Sequence, residues 1–538
     1  MVAPEQQDRF GLKDHWRCLA AMTLVSLSAF QYGLDFGVIS GLQAMVPFLE
    51  VFGYPDPETP GGWNISSERQ QLISSLMTLG AFVSSAGAGL SAVIVGRRTS
   101  IWIACLLSIV STVMMQVTTS IGVLYAARLV IGLANGVFTT HSQLWILECS
   151  PARYRGLAIS GFQIWTTVGT LIGTIINNFL SFRTDKSAYI IPLGIVYIIP
   201  GILAIGLLFV PESPRWLLAH NPQPSASSSA AAEKALAWLR PKGWDVGSEL
   251  AEIQTAIDNE RQLHSGLSIF ELVNNPVDRR RTLLSIGVVL CQASSGSMFI
   301  IAFGTYFFLN AGIGTPFQDS VIMIATGVVA IIINSAIITR FGYRRRMLIT
   351  GMVLCGLCQL LVAVVWDTRA VPLASGSTLD GTVALTVIYM FIYTLCISAY
   401  AWLSGGEIPS QRLRSHTFGL ATAFGFFGAW LITFTAPYFI NPAELNWGPK
   451  YGYIWFGSCF LSAIWLFFCL PETKNRTLEE IDEMFHARVP TRKFGSYRCV
   501  ASASGGTTEG QNTVASTDET ARTSVEYRKE TITADKMG

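Results

Sequence analysis

Charge is the scarce commodity of this chain. Asp, Glu, Lys and Arg make up 13% of its 538 residues, where soluble proteins carry about a quarter. With 51% hydrophobic residues and a mean hydropathy of +0.43, it belongs in a bilayer rather than in water. A net charge of +2 excludes the basic footprint that nucleic acid requires. The ten cysteines are scattered, many in apolar stretches, and do not read as a disulfide framework. Cys355 and Cys358 form a Cys-x-x-Cys, but inside an apolar stretch without His or acidic neighbours, so they read as packing residues and no metal site is expected. A cleavable leader is not apparent either: the first apolar stretch is span-length, has no small-residue cleavage pattern and contains Asp35. Motifs for covalent chemistry or nucleotide binding are missing, so neither enzyme activity nor a cofactor is expected.

What is present is a series of apolar stretches of about 20 residues or more, near 18–41, 70–94, 99–119, 121–147, 156–181, 189–210, 283–310, 318–339, 347–366, 381–404, 416–438 and 451–470. They predict an all-α membrane protein of about twelve spans, six in 18–210 and six in 283–470. Residues 1–17 read as an N-terminal tail, and polar residues 211–282 as a linker with short helices near 231–240 and 248–263. Residues 471–538 read as a C-terminal tail, disordered after about residue 495. Arg97, Arg98, Arg153, Arg155, Arg340, Arg344, Arg345, Arg346, Arg412 and Arg414 fall in alternate loops, and Arg9, Lys13 and Arg17 in the first tail. That side is expected to be cytoplasmic, with both termini inside. The opposite loops carry Asp56, Glu58, Asp319, Asp367 and Glu444, with Arg183 and Lys186 against the trend. There, Asn64-Ile65-Ser66 is a candidate glycosylation acceptor.

One charge pattern occurs twice, roughly 260 residues apart, at the end of a span: Glu148 to Arg155, and Glu407 to Arg414. Pro211-Glu212-Ser213 and Pro471-Glu472-Thr473 repeat at about the same offset. The chain is therefore two copies of one design, and parallel halves suit a carrier whose single site lies between bundles that rock against each other.

Asp35 is the most informative position, because a carboxylate within a span costs roughly 2.5–3.5 kcal/mol on insertion scales. Counting from the span ends at 1.5 Å per residue puts Arg128 of the fourth span at Asp35's depth. A carboxylate that is neutral alone and ionised beside a guanidinium can load and release a proton; the alternative is a static pair that only fixes helix register. Glu148, Glu212, Glu407 and Glu472 lie at the charged ends of spans with Arg97, Arg98, Arg344 and Arg345 starting neighbouring loops, an arrangement that can lock one mouth of the carrier. Interfacial anchoring accounts for the arginines but not for four duplicated glutamates. Gln163, Gln292 and Trp402 lie at mid-membrane depth, where amides can bond hydroxyls and an indole can stack on a sugar face, although such residues also join helices to one another. His141 reads as a hydrogen-bonded packing residue, and Gly169 with Gly173 as a close-contact pair.

With these residues on view, the chain resembles the sugar porter family of the major facilitator superfamily from about residue 18 to about 494. The resemblance is carried by Tyr32-Gly-Leu-Asp35-Phe-Gly37, Arg128-Leu-Val-Ile-Gly132, Glu148 to Gly156, Pro211-Glu-Ser-Pro-Arg-Trp-Leu217 and Pro471-Glu-Thr-Lys-Asn-Arg-Thr477. Thr305-Tyr-Phe-Phe308, Glu407 to Arg414, Asn446-Trp-Gly448, Tyr453-Ile-Trp455 and Val489-Pro-Thr-Arg-Lys-Phe494 look more like the fungal maltose and α-glucoside permeases. It implies proton-coupled sugar uptake at the plasma membrane, with Asp35 and Arg128 as the proton-linked pair. Gln163, Gln292 and Trp402 match sugar contacts. Arg97, Arg98, Glu148, Arg155, Glu212, Arg344, Glu407, Arg414 and Glu472 match the intracellular gate. The expected partners are a small sugar or related solute, protons and the bilayer.

The chain also departs from the family pattern. Val93 and Ile94 stand where Asp-Arg is usual, Thr339 at the corresponding Asp of the second half, Ala293 and Met298 in place of a Gln and an Asn, and Gly327 and Gly425 where hexose carriers often have Asn. Fewer amides and more room favour a disaccharide, a glycoside or a less hydroxylated compound. A uniporter, a non-transporting sugar sensor and a carrier of non-sugar metabolites remain as rival readings.

Overall fold

The structure is a computed structural model that describes residues 11, 13–57, 59, 61–151, 155–220, 226–264, 271–310, 312, 314–340, 342–368, 377–410, 413–474, 476, 478–495 and 497. Arg153, Arg412 and all of the tail expected to be disordered except Tyr497 lie outside them, as does the side chain of Arg155. Within the described residues eleven helices are long and apolar enough to cross a membrane. A twelfth, Arg155–Leu180, has 26 residues, ample length at 1.5 Å per residue. In chain order the spans are 1 (Trp16–Leu42), 2 (Ser67–Ile94), 3 (Arg97–Val117), 4 (Ile121–Cys149), 5 (Arg155–Leu180) and 6 (Ser187–Gly206). The second set is 7 (Pro276–Asn310), 8 (Pro316–Arg340), 9 (Arg344–Thr368), 10 (Ser377–Glu407), 11 (Arg414–Ile440) and 12 (Gly452–Cys469).

Three spans are interrupted for visible reasons. Span 6 loosens between Ile195 and Ile198, just past Pro192, which cannot donate to the helix ladder. Span 7 breaks at Ser295-Gly296, where Gly296 has φ +83 and a side chain would collide with the Trp455 ring. Span 10 carries a π-helical turn at Thr394–Ser398, a distortion that often marks functional sites. Span 7 also starts seven residues before the expected boundary, because Pro276 occupies a first-turn position and the Asn275 side chain accepts from Val277 N at 3.0 Å.

Packing repeats the duplication. Span 1 lies along 5 as 7 lies along 11, 2 along 4 as 8 along 10, and 3 along 4 as 9 along 10. The halves meet where span 2 packs on 11, 5 on 8, and the second part of 7 on 1. The seam of spans 1 and 5 needs small residues: a Cβ on Gly169 would sit 2.1 Å from Phe30 O, and one on Gly33 1.9 Å from Thr166 O. Large apolar side chains such as Leu106, Val117, Phe209 and Leu461 are more than half exposed, as expected of a lipid-facing belt. The linker forms helices at Pro214–Ala219, Ala226–Leu239, Val246–His264 and Glu271–Asn274, and Leu478–His486 follows the last span. A two-residue antiparallel pair, β1 (Tyr54–Pro55) with β2 (Trp63–Asn64), closes the connection between spans 1 and 2.

Candidate functional site

Asp35 and Arg128 meet as their depths predicted. Arg128 Nη1 donates to Asp35 Oδ1 at 3.2 Å, with the two residues 0% and 2% exposed. Arg128 Nε also donates to Ile73 O at 2.9 Å, and Nη2 lies 3.0 Å from Met77 Sδ, so one side chain ties spans 1, 2 and 4. Asn135 donates to Asp35 Oδ2 at 3.3 Å. Sequence reasoning passed over it, although its position seven residues after Arg128 places it two turns along the same helix face. Gln31, one turn before Asp35 on span 1, is fully buried, and neither of its amide atoms has a partner among the described residues. His141 is a packing residue, within 3.1 Å of Ser91 Oγ and 3.2 Å of Thr140 Oγ1.

Span 10 gathers the three mid-membrane residues. Gln292 Nε2 donates to Tyr393 OH at 2.8 Å, and Gln163 Nε2 reaches Ser398 Oγ at 3.3 Å across the interface of the halves. Trp402 lies one turn beyond Ser398 and meets Phe418 edge-on at 6.2 Å. Nearby, Tyr32 of span 1 approaches Phe426 of span 11 edge-on at 6.4 Å. Tyr393 directly precedes the π turn and Ser398 is its last residue, and periodicity alone cannot announce such a turn. The extra room expected at Gly425 is not there, because a Cβ would meet Val289 Cγ1 at 2.7 Å.

At the arginine-rich end the duplicated motifs build the same cluster twice. Arg97 Nη2 donates to Glu148 at 2.8 Å, and Arg344 Nη2 to Glu407 at 2.9 Å. The backbone N–H groups of Arg97 and Arg98 bond Glu212, and that of Arg344 bonds Glu472. The hydroxyls of Ser213 and Thr473 donate to Glu148 and Glu407. These arginines begin helices rather than loops, so Glu212 and Glu472 sit at helix N-termini, where exposed N–H groups and the helix dipole favour a carboxylate. Arg414 is exposed at the start of span 11. Two arginines that the motifs did not announce cap the spans carrying these glutamates: Arg240 Nη1 donates to Cys149 O at 2.9 Å and Arg281 Nε to Ile408 O at 2.7 Å. Glu249 pairs with Arg240, and Asp482 with Arg281.

The hairpin end is closed by contacts between the halves. Tyr306 OH donates to Asn64 Oδ1 at 2.9 Å, Asn441 Nδ2 to Ile65 O at 2.8 Å, and the Thr78 and Thr433 hydroxyls lie 3.2 Å apart. Asn64 is 1% exposed, and its Nδ2 donates to Asp56 Oδ2 at 3.1 Å. In this conformation Asn64, the candidate glycan acceptor, is enclosed and its amide is engaged.

Twelve helices in two like-packed halves, with a buried ion pair and paired charge clusters, define a major facilitator carrier. The family model described as Sugar (and other) transporter matches residues 21–485, and the chain belongs to that family. It is 29% identical to Major facilitator-type transporter ecdD of Aspergillus rugulosus, over 87% of each chain. It is 28% identical to Maltose permease MAL31 of Saccharomyces cerevisiae, over 90% of this chain and 78% of the permease. The fold is that of the xylose transporter XylE from E. coli in a partially occluded inward open conformation: TM-score 0.68, 17% identity, 86% of this chain and 99% of the other. A second XylE structure, described as a proton:xylose symporter with a bound bromodeoxyglucose, gives a TM-score of 0.67 at 19% identity over 87% and 99%.

Proposed function

We propose that this chain imports an α-glucoside, maltose-like sugar or hexose together with protons, in the plasma membrane with both termini cytoplasmic. The observation that carries the reading is the buried Asp35–Arg128 pair. An ionised carboxylate at that depth is tolerable beside Arg128, and a shift of span 1 against span 4 that lengthens the contact favours uptake of a proton instead. The bundles 18–210 and 283–470 rock about the site between spans 5, 7 and 10, with 211–282 spanning the cytoplasmic side. Gln163, Gln292 and Trp402 form the sugar subsite, the two amides exchanging Ser398 and Tyr393 for sugar hydroxyls. Arg97, Arg98, Glu148, Arg155, Glu212, Arg344, Glu407, Arg414 and Glu472 are the inner gate, and the Asn64–Tyr306 and Asn441–Ile65 contacts close the outer mouth. The relatedness to a maltose permease and the likeness in fold to a proton:xylose symporter support this reading.

The test is uptake of labelled maltose and glucose at acidic and neutral external pH, in cells lacking their own sugar carriers, by wild type and Asp35→Asn. Accumulation that rises with acidity and disappears in the variant is expected. Equal net uptake by the variant points to a uniporter instead. A second reading, a carrier of a less hydroxylated metabolite, is favoured by Gln163 and Gln292 already having protein partners and by Ala293 and Met298 standing where the family pattern has amides. Failure of every sugar to be taken up or to compete, with protein at the cell surface, selects it.

A further inference from the structure

The Val489–Phe494 motif has no part in the transport reading, yet its residues are firmly placed. Val489 and Phe494 are buried, with Phe494 edge-on to Phe485 at 5.2 Å, so the single turn Thr491–Lys493 between them is anchored at both ends. The anchor holds Arg492 4.8 Å above the Phe467 ring and 5.3 Å above Phe468, at the end of span 12. Arg345, from the first turn of span 9, comes to the same Phe467 ring at 5.5 Å and donates to Phe467 O. Beside it, Arg346 and Lys474 share the Tyr343 ring at 4.8 and 3.5 Å.

Four cations thus stand in two pairs over aromatic rings at the head of span 9 and the end of span 12, and none is ion-paired to a described carboxylate. The acidic group that acts on Arg345, Glu472, offsets part of this charge while one of its oxygens accepts from the backbone N–H groups of Arg344 and Lys474. Three successive arginines also open span 9, where the helix dipole opposes positive charge. Such crowding is unfavourable unless a further anion completes it, and guanidinium groups are suited to a phosphate. The rings identify the source of that phosphate. Tyr343, Phe467 and Phe468 are 37%, 45% and 61% exposed at the ends of membrane spans, a surface for acyl chains and glycerol below a headgroup.

We infer that the arginine-rich end of spans 9 and 12 binds an acidic phospholipid headgroup through Arg345, Arg346, Lys474 and Arg492, against Tyr343, Phe467 and Phe468. The site is separate from the Asp35–Arg128 pair and from the subsite on span 10, and it depends neither on the transported solute nor on proton coupling.

The test uses the purified full chain in nanodiscs of phosphatidylcholine, alone or mixed with phosphatidylserine, followed by mass spectrometry of the lipid retained on detergent extraction. Both leaflets of a nanodisc are alike, so orientation in the cell does not enter. Wild type is expected to retain phosphatidylserine over phosphatidylcholine, and Arg346→Gln or Arg492→Gln to lower that preference about five-fold per charge. Arg492→Lys should keep it, which separates lost charge from lost fold. Equal retention of both lipids by wild type, or full preference in an Arg346→Gln/Arg492→Gln variant, overturns the inference. So does tight binding of inositol hexakisphosphate to the lipid-free protein in detergent, which would make this a site for a soluble polyphosphate.

Discussion

Glu148 and Glu407, roughly 260 residues apart, hold the same two-part contact at the end of their own helix: an arginine from the head of the preceding span and a hydroxyl from the segment after the sixth span of their half. Because the clusters match, their removal should match. Glu148→Gln and Glu407→Gln are each expected to cost about 1.5–3 kcal/mol, the range for hydrogen bonds to charged groups. Ser213→Ala and Thr473→Ala should follow in the same order with smaller losses. Thermal unfolding of the purified variants in detergent measures this, and a large loss confined to one half would break the parallel.

Asn64 and Tyr306 make a second prediction. If the hairpin end is a seal rather than a glycan site, glycosidase treatment leaves the electrophoretic mobility of the expressed protein unchanged. Tyr306→Phe removes one neutral hydrogen bond, worth about 0.5–1.5 kcal/mol, and should shift the closed population up to about ten-fold. Labelling of a cysteine placed at Phe426, by an impermeant thiol reagent added from outside, should speed up accordingly. A glycan on Asn64 together with unchanged labelling sinks the seal.

Much of this was legible because membrane spans and duplications are one-dimensional signals. Hydropathy marked the spans, the repeated Glu-x6-Arg marked the halves, and counting 1.5 Å per residue brought Asp35 to Arg128. What escaped depended on side-chain direction and on distant packing. The sequon at Asn64 has the same letters whether it faces water or a tyrosine 242 residues away. Gly425 reads as empty space until Val289 is found beside it. The π turn at Thr394–Ser398 has no composition of its own, yet it sets the faces of span 10 that meet Gln292 and Gln163.

The buried pair itself gives a third prediction. Asp35→Asn leaves Arg128 as an uncompensated charge among fully buried groups, and breaking such a pair costs about 3–5 kcal/mol. Adding Arg128→Gln removes that charge, so the double variant should be more stable than Asp35→Asn alone, a coupling that a mutant cycle on thermal unfolding reports. Neither Asp35→Asn nor the double variant should accumulate sugar against a gradient. The reading of Asp35 as the coupling group is falsified if the stability-restored double variant still concentrates substrate in acid medium.

Gly425 gives the last. Placing Asn there, as hexose carriers often do, forces its Cβ within 2.7 Å of Val289 Cγ1, an overpacked contact that costs about 1–3 kcal/mol. Gly425→Asn alone should therefore lower both stability and uptake. Val289→Ala by itself opens a small cavity and loses packing. Combined, the two changes fit each other: the alanine removes the colliding methyls, and the asparagine brings an amide toward Trp402, whose Cη2 lies 3.9 Å from the position of that Cβ. The double variant is expected to recover stability and to move preference toward compact, fully hydroxylated hexoses, read as a fall in KM for glucose relative to maltose. Recovery of stability without that change in KM would leave Gly425 as a packing position and remove it from the substrate site.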